Sequence, residues 1–533
     1  MEYAWTKNVP VVAGPLDRRR FLTLMGGLAT VAVAAQGTLD EAEAAETVKL
    51  AYPFSLGVAS GDPTPTGIVL WTRLAPTPLV AGGGVPPRDL TVRWELFADR
   101  SARRVVRSGR VRAPRSLAHS VHVEVDGLRP DTEYYYRFRY RNHASTLGRT
   151  RTAPLTRSRL SAMTFAVVSC QDWQSGFYPV YRHLIEDDVS LVLHLGDYVY
   201  EGDIDPAGGL RRQVLPAAVR KAPRTVDEWR VRYGVYKLDP DLQAAHAHVP
   251  FLVTWDDHEV QNDYAGTTSQ YEGDITARRA AAYQAYYEHQ PLRAASIPNP
   301  GGGLKLYRGL TFGDLINLSV LDGRLHRTVP PGGWGEAPAN RASYDPSVTM
   351  LGFRQERWLT RRLIRSDARW TVLGNNVLMA RLEHEATPGA RLWHDGWDGF
   401  PGARKRIADV LVDAKVANPI VLSGDWHSTF VSDILRDFDR PESRTVTSEF
   451  VVTSVSTNGD SIVYGPYYGP MIGFNPHIKF FDGDRRGYLR CRVNRNRWRT
   501  DLRMVDSVAT RTARVSTLAS FVVEAGRRGV QRA

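Results

Sequence analysis

Cysteine is scarce in this chain: Cys170 and Cys491 are the only thiols in 533 residues, so at most one disulfide can form. Such a bridge is conceivable in an exported protein. However, Cys491 sits in the alternating stretch Tyr488-Leu489-Arg490-Cys491-Arg492-Val493 and reads as core, whereas Cys170 ends a strand among polar residues. There is also no Gly-x-Ser-x-Gly elbow, no Walker loop and no Gly-x-Gly-x-x-Gly opening a helix. Their absence removes the commonest serine-hydrolase, NTPase and dinucleotide readings. After the first 45 residues no apolar run is long enough to span a bilayer. Dense basic runs are equally rare. The net charge of +12 comes from arginine spread along the chain, with Arg18-Arg19-Arg20 as the one tight cluster, so no nucleic-acid-binding module is expected. A general attraction for anionic substrates or envelope polymers accounts for the charge, as does a solvated basic surface.

A hydrophobic content of 43% and a charged content of 24% are ordinary for globular domains, and the length allows two or three of them. Residues 1–45 carry Asp17-Arg18-Arg19-Arg20-Phe21-Leu22, an apolar stretch to Ala35 and small residues ending Ala42-Glu43-Ala44-Ala45. This order reads as a signal peptide of twin-arginine type, which makes the twin-arginine export machinery a partner and the cell envelope or exterior the destination. Residues 50–155 alternate at period two and read as a small β-sandwich. The segment Gly127-Leu128-Arg129-Pro130-Asp131-Thr132-Glu133-Tyr134 resembles a fibronectin-like tyrosine corner. Residues 156–505 alternate strands with helices, the α/β (α+β) pattern of stacked sheets with outer helices. Residues 506–533 are expected to form a C-terminal helical extension, a helix over Arg511–Ala525 that either covers the site or lies on the surface.

The chemistry should gather at strand ends. Leu191-Val192-Leu193-His194-Leu195 is a buried-strand pattern that stops at Gly196 and delivers Asp197 and Tyr200 into a loop. The run Thr164–Val168 ends in Ser169-Cys170-Gln171-Asp172, and two later runs end in Trp255-Asp256-Asp257-His258-Glu259 and Ser423-Gly424-Asp425-Trp426-His427. Any one of these residues has a plain structural explanation as a cap, turn or core group. Their joint occurrence points instead to hard or borderline cations. Asp197 is the candidate bridge, because one carboxylate can hold two cations about 3.5–4 Å apart, the separation suited to phosphoryl displacement. Cations also acidify bound water, so attack by a metal-bound hydroxide needs no serine nucleophile.

Five motifs carry a resemblance to a known family: Ser169-Cys170-Gln171, Gly196-Asp197-Tyr198-Val199-Tyr200-Glu201, Trp255-Asp256-Asp257-His258-Glu259-Val260, Ser423-Gly424-Asp425-Trp426-His427 and Asn475-Pro476-His477-Ile478-Lys479-Phe480-Phe481. In this order they resemble the PhoD family of alkaline phosphatase/phosphodiesterases, itself similar to purple acid phosphatases and other calcineurin-like metallophosphoesterases. The match extends to the opening Phe54-Ser55-Leu56-Gly57-Val58-Ala59-Ser60-Gly61-Asp62-Pro63. The resemblance implies two facing sheets flanked by helices, iron(III) and calcium (Fe3+ and Ca2+), and a phosphate ester substrate. It further implies Cys170, Tyr200 and His427 on iron, Asp197 as bridge, and Asp425, Asp257 and Asn262 on calcium. His258 resembles the histidine facing the leaving group, a general acid or phosphate ligand, and Arg324 in Leu321-Asp322-Gly323-Arg324 is placed near the phosphate. Gly323 and Leu325-His326 depart from the Thr and Gln-Tyr that surround this arginine in the family. Asp398 and His477 lie in further family-like motifs. Monoester and diester hydrolysis remain open on this reading. The alternatives are a phospholipase D-like phosphodiesterase on the same scaffold and a non-catalytic envelope binding protein.

Overall fold

The apolar run around Val192 is buried on both faces because it becomes a central strand, Val192–His194. In the computed structural model, which describes residues 50–299, 302–440 and 442–533, this strand pairs in parallel with Ala162–Val168 on one side and Phe251–Val253 on the other. Register is continuous across the three, with Val168 opposite His194 and His194 opposite Val253. Their carboxyl ends therefore stop on one line. The expected signal peptide lies outside the described residues.

These three strands are the middle of a ten-stranded sheet. On one flank the antiparallel strands Arg486–Asn494, Arg497–Val505, Val515–Glu524 and Gln531–Arg532 extend it. On the other flank come Val58–Thr64, Gly67–Arg73 and Ser120–Val125. A seven-stranded sheet runs Arg308–Phe312, Ile316–Val320, Trp370–Gly374, Pro419–Ser423, Thr445–Val451, Thr429–Leu435 and Ile478–Asp482 in spatial order. One apolar cluster holds Val167, Leu193 and Leu252 of the first sheet together with Val320, Val372 and Ile420 of the second, so the sheets face each other across a shared core. The helices Pro179–Glu186, Val226–Lys237, Pro240–His248 and Thr276–His289 supply the core on the far face of the first sheet, and Phe353–Ile364 and Pro401–Asp413 that of the second.

Two expectations need correcting. The stretch 506–533 is not a helical extension: Val515–Glu524 is a strand antiparallel to Arg497–Val505, followed by the short strand Gln531–Arg532. Val515, Leu518, Ala519 and Val522 do fall at helical spacing, but Ala519, Phe521 and Val523 alternate into the shared core and the segment is rich in Ser, Thr and Val, which favours a pleated surface. Second, residues 50–155 do form two packed sheets, with Ile68, Leu70, Val121 and Val123 against Val92, Leu96, Tyr136 and Phe138. One of those sheets is continuous with the catalytic one, however, through the parallel pairing of Gly61 with Phe251. Side chains seal this junction: Trp71 Nε1 donates to Glu288 O at 3.0 Å, Arg73 meets His289 at 2.7 Å and His122 stacks on Tyr287 at 4.4 Å. Lys237 is buried in it, its Nζ 4.3 Å from the Trp71 ring and 5.2 Å from that of Tyr198.

Candidate metal centre

Three parallel strand ends of one sheet and one of the other meet at a single point. Beyond Val168 the chain turns at Cys170, beyond His194 at Asp197, and beyond Ser423 at Asp425 and His427. All four take left-handed backbone angles, with φ of 58°, 56°, 71° and 52°. Non-glycine residues enter this region at a cost of order 1 kcal/mol, and such positions cluster at functional sites. The turn after His194 depends on Gly196 at φ 118°, where a Cβ would stand 2.5 Å from Asp256 Cβ and 2.6 Å from Asp256 N. Glycine is there to let two strand ends touch. The buried Glu259 carboxylate then ties them, accepting from the backbone N–H of Asp197 at 3.0 Å, Tyr198 at 2.6 Å and Asp256 at 2.8 Å.

The ligand-type atoms converge as three overlapping groups, each with its atoms within 4.8 Å of one another: Cys170, Asp197 and His427; Asp197, Asp257 and His258; Asp256, Asp257 and Asp425. Tyr200 joins the first of them. Its hydroxyl donates to Asp197 Oδ2 at 2.9 Å, lies 3.1 Å from His427 Nε2 and accepts from Thr457 Oγ1 at 2.8 Å. Asp197 and Asp257 each belong to two groups, and Asp197 is the one that links the Cys170–His427 group to the Asp257–His258 group. Among the described residues the buried Oδ1 of Asp197 has no hydrogen-bond partner, nor has Asp256 Oδ2; Asp257 Oδ1 has none either, but faces the Arg324 guanidinium at 3.3 Å. Buried carboxylate oxygens without donors are costly unless a cation faces them, so the donor set fits metal ions. Burial and the neighbouring Asp197 carboxylate push the Cys170 thiol and the Tyr200 phenol well above their usual pKa. A bound cation reverses that sign and favours thiolate and phenolate.

Arg324 does not sit where a phosphate would find it. Its guanidinium is fully buried and hydrogen-bonded to Asp256, with Asp395 at 2.6 Å, Asp425 at 3.2 Å and Asp257 at 3.3 Å. It is the internal counter-charge of the carboxylate cluster. Burial outweighs that cation at Asp256, pushed up to about 8, whereas at Asp257 Arg324 and His258 outweigh burial and hold the group down at about 2. The departures from the family pattern at Gly323 and Leu325-His326 flank this same residue.

His258 is partnered by a residue that sequence reasoning left without a role. Its Nδ1 lies 2.7 Å from Glu201 Oε2, and its ring stacks on Tyr200 at 4.2 Å. Against the desolvation of burial, Glu201, Asp197 and Asp257 raise the imidazole pKa well above its ordinary value. Glu201 Oε1 also accepts the Asn262 N–H at 2.8 Å, which fixes the loop carrying Asp257 and Asn262. Glu201 lies within the Gly196–Glu201 motif, but its partner is 57 residues away. The groups open into a cavity of about 330 Å³ lined by Asp197, Asp257, His258, Asn262, Asp425 and His427 and walled by aromatic rings. Asp398 and His477 stand outside it, the former paired with Arg404 at 2.7 Å and the latter bonded to Arg381 O at 2.7 Å.

Comparison with known proteins agrees with this geometry. Residues 165–502 match the PhoD-like phosphatase family and residues 40–154 its N-terminal domain. The chain is 39% identical over 528 residues to alkaline phosphatase D of Bacillus subtilis (strain 168), covering 97% of this chain and 89% of that protein. A solved structure described as the structure of PhoD superposes with a TM-score of 0.85 at 40% identity, covering 90% of this chain and 92% of the other. With four strand ends, their ligand-type residues and both matched regions in agreement, this chain belongs to the PhoD-like phosphatase family.

Proposed function

We propose that this phosphoric ester hydrolase works at a two-cation centre organised by Asp197, hydrolysing phosphate mono- or diesters. The observation that carries this reading is that Asp197 links the group holding Cys170 and His427 to the group holding Asp257 and His258, while its buried Oδ1 has no hydrogen-bond partner among the described residues. Cys170, Tyr200 and His427 offer a thiol, a phenol and an imidazole, a set suited to iron(III). Asp257, Asn262 and Asp425 offer the oxygens that calcium prefers. When bound, the cations supply acidified water and neutralise charge on the phosphoryl group.

The remaining work falls to the chain's own residues. Glu201 holds Nδ1 of His258, so Nε2 is the nitrogen that serves the cavity, and the Glu201 carboxylate favours the protonated ring that would donate to the departing oxygen. Arg324 balances the carboxylates from below without touching substrate. The segment 1–45 supports export by the twin-arginine route, which accepts chains already folded around such a centre.

Hydrolysis of matched aryl mono- and diesters by metal-quantified protein tests the reading, with Asp197→Asn alongside. Loss of several kcal/mol of transition-state stabilisation predicts a fall of about a thousandfold or more in kcat/KM. An Asp197→Asn variant that keeps its rate, or a parent chain that turns over neither ester with metals bound, overturns it.

A further inference from the structure

Above its acidic floor the cavity is walled by rings. One wall comes from the strand pair Glu336–Ala337 and Leu392–Trp393 and carries Trp334 and Trp393; another comes from the segment 461–478 and carries Tyr464 and Tyr468. Tyr467 Oη donates to Glu336 Oε1 at 2.5 Å and joins the two. Among the described residues no leucine, isoleucine, valine or methionine lines the cavity. The second wall is also free of charge, since no Asp, Glu, Lys or Arg occurs between Asp460 and Lys479. The ring wall begins at the ligand set itself: Tyr464 lies 6.2 Å from the His427 ring.

The cavity of about 330 Å³ extends from the carboxylate floor up to these rings, so a group held at the floor carries its organic arm between them. We propose that the walls formed by Trp334, Trp393 and Tyr464 seat the organic arm of the ester and select phosphate esters whose arm carries a flat ring, an aryl group or a nucleobase, over those with an alkyl arm. The assignment rests on the phosphoesterase reading above and names its substrate class. Flat π-faces are complemented by another ring, whereas an alkyl chain would be matched by branched aliphatic walls, which are absent. A cationic arm fits less well, because the Arg327 guanidinium already lies 5.9 Å from the Trp334 ring.

Binding, rather than turnover, tests this. Phenylphosphonate and methylphosphonate share the head that the floor recognises and differ only in the arm. By calorimetry on the metal-loaded full chain, the phenyl compound should bind about tenfold more tightly or better. Trp334→Ala, Trp393→Ala and Tyr464→Ala should each move that ratio towards one while leaving methylphosphonate affinity within about twofold, which also reports a folded floor; Tyr464→Phe should preserve it. Comparable binding of the two compounds by the parent, no binding of either, or a ratio that survives Trp334→Ala combined with Trp393→Ala overturns the assignment. A parent that discriminates the arms yet hydrolyses no ester would sink the catalytic reading and leave this one standing. Adenosine 5′-phosphonate in place of phenylphosphonate separates a nucleobase pocket from a general aryl one.

Discussion

At the scale of the residue, the site is a contest between burial and charge. The carboxylates of Asp197, Glu201, Asp256, Asp257, Glu259, Asp395 and Asp425 crowd around the Arg324 guanidinium and the imidazoles of His258 and His427. The Glu201–His258 pair gives this a measurable consequence. A protonated donor is lost above its own pKa, and Glu201 raises that pKa. Glu201→Gln should therefore shift the alkaline limb of the kcat profile to lower pH and cut the rate about 10–100-fold, with metal content unchanged. An unshifted limb would show that His258 is not the group titrating. The ligand-type residues were legible in the sequence because each follows an apolar strand by two to six positions, as Cys170, Asp197, Tyr200 and His427 do. Glu201, Glu259 and the internal role of Arg324 were not, because their partners come from other strands and only the folded chain brings them within hydrogen-bond distance.

At the scale of the element, the strand ends behave as one joint. Gly196 allows the approach to Asp256, so Gly196→Ala should cost about 2–4 kcal/mol in denaturant unfolding with an unchanged slope, and should lower metal occupancy at the same time. Loss of stability with full occupancy would mean that the joint and the metal centre are independent. Long, strongly patterned elements are legible in the sequence: Thr276–His289 carries alanine and tyrosine at helical spacing and is a helix, and Leu90–Phe97, within the alternating region 50–155, is a strand. The helix Val226–Lys237 is harder to see, lying in a stretch rich in Gly, Pro and Arg, although Thr225 and Glu228 form a capping box at its start. The terminal strand was misread because nine of its ten residues are Val, Ser, Thr, Leu, Ala or Phe, which satisfy both periods.

At the scale of the whole molecule, Lys237 reports on the junction between the first 150 residues and the rest. Burial pushes its pKa down to about 7, against an unfolded value of about 10.4. Between these values the unfolded chain binds the proton and the folded chain does not, so this group makes stability rise with pH by about 1.4 kcal/mol per unit, and adds no slope below about 7. Comparing the parent with Lys237→Met by denaturant unfolding from pH 6 to 10 should show the variant ahead at the acid end and the gap closing above pH 7. A constant gap would place the ammonium in contact with water.

The pairing of Gly61 with Phe251 bears on how such a chain can be inherited. The strand Phe251–Val253 leads to Asp256, Asp257 and His258, and its outer neighbour is Val58–Thr64. A recombination event that discarded the amino-terminal region would leave that strand as a raw sheet edge, open to pairing with other chains, immediately before the carboxylates and imidazole of the candidate metal centre. The region is therefore not a cassette to be shuffled among genes. The sheet pairing predicts that the outer sheet, Leu90–Phe97 and Glu133–Tyr140 with their neighbours, can be exchanged without baring that edge, whereas the inner one cannot.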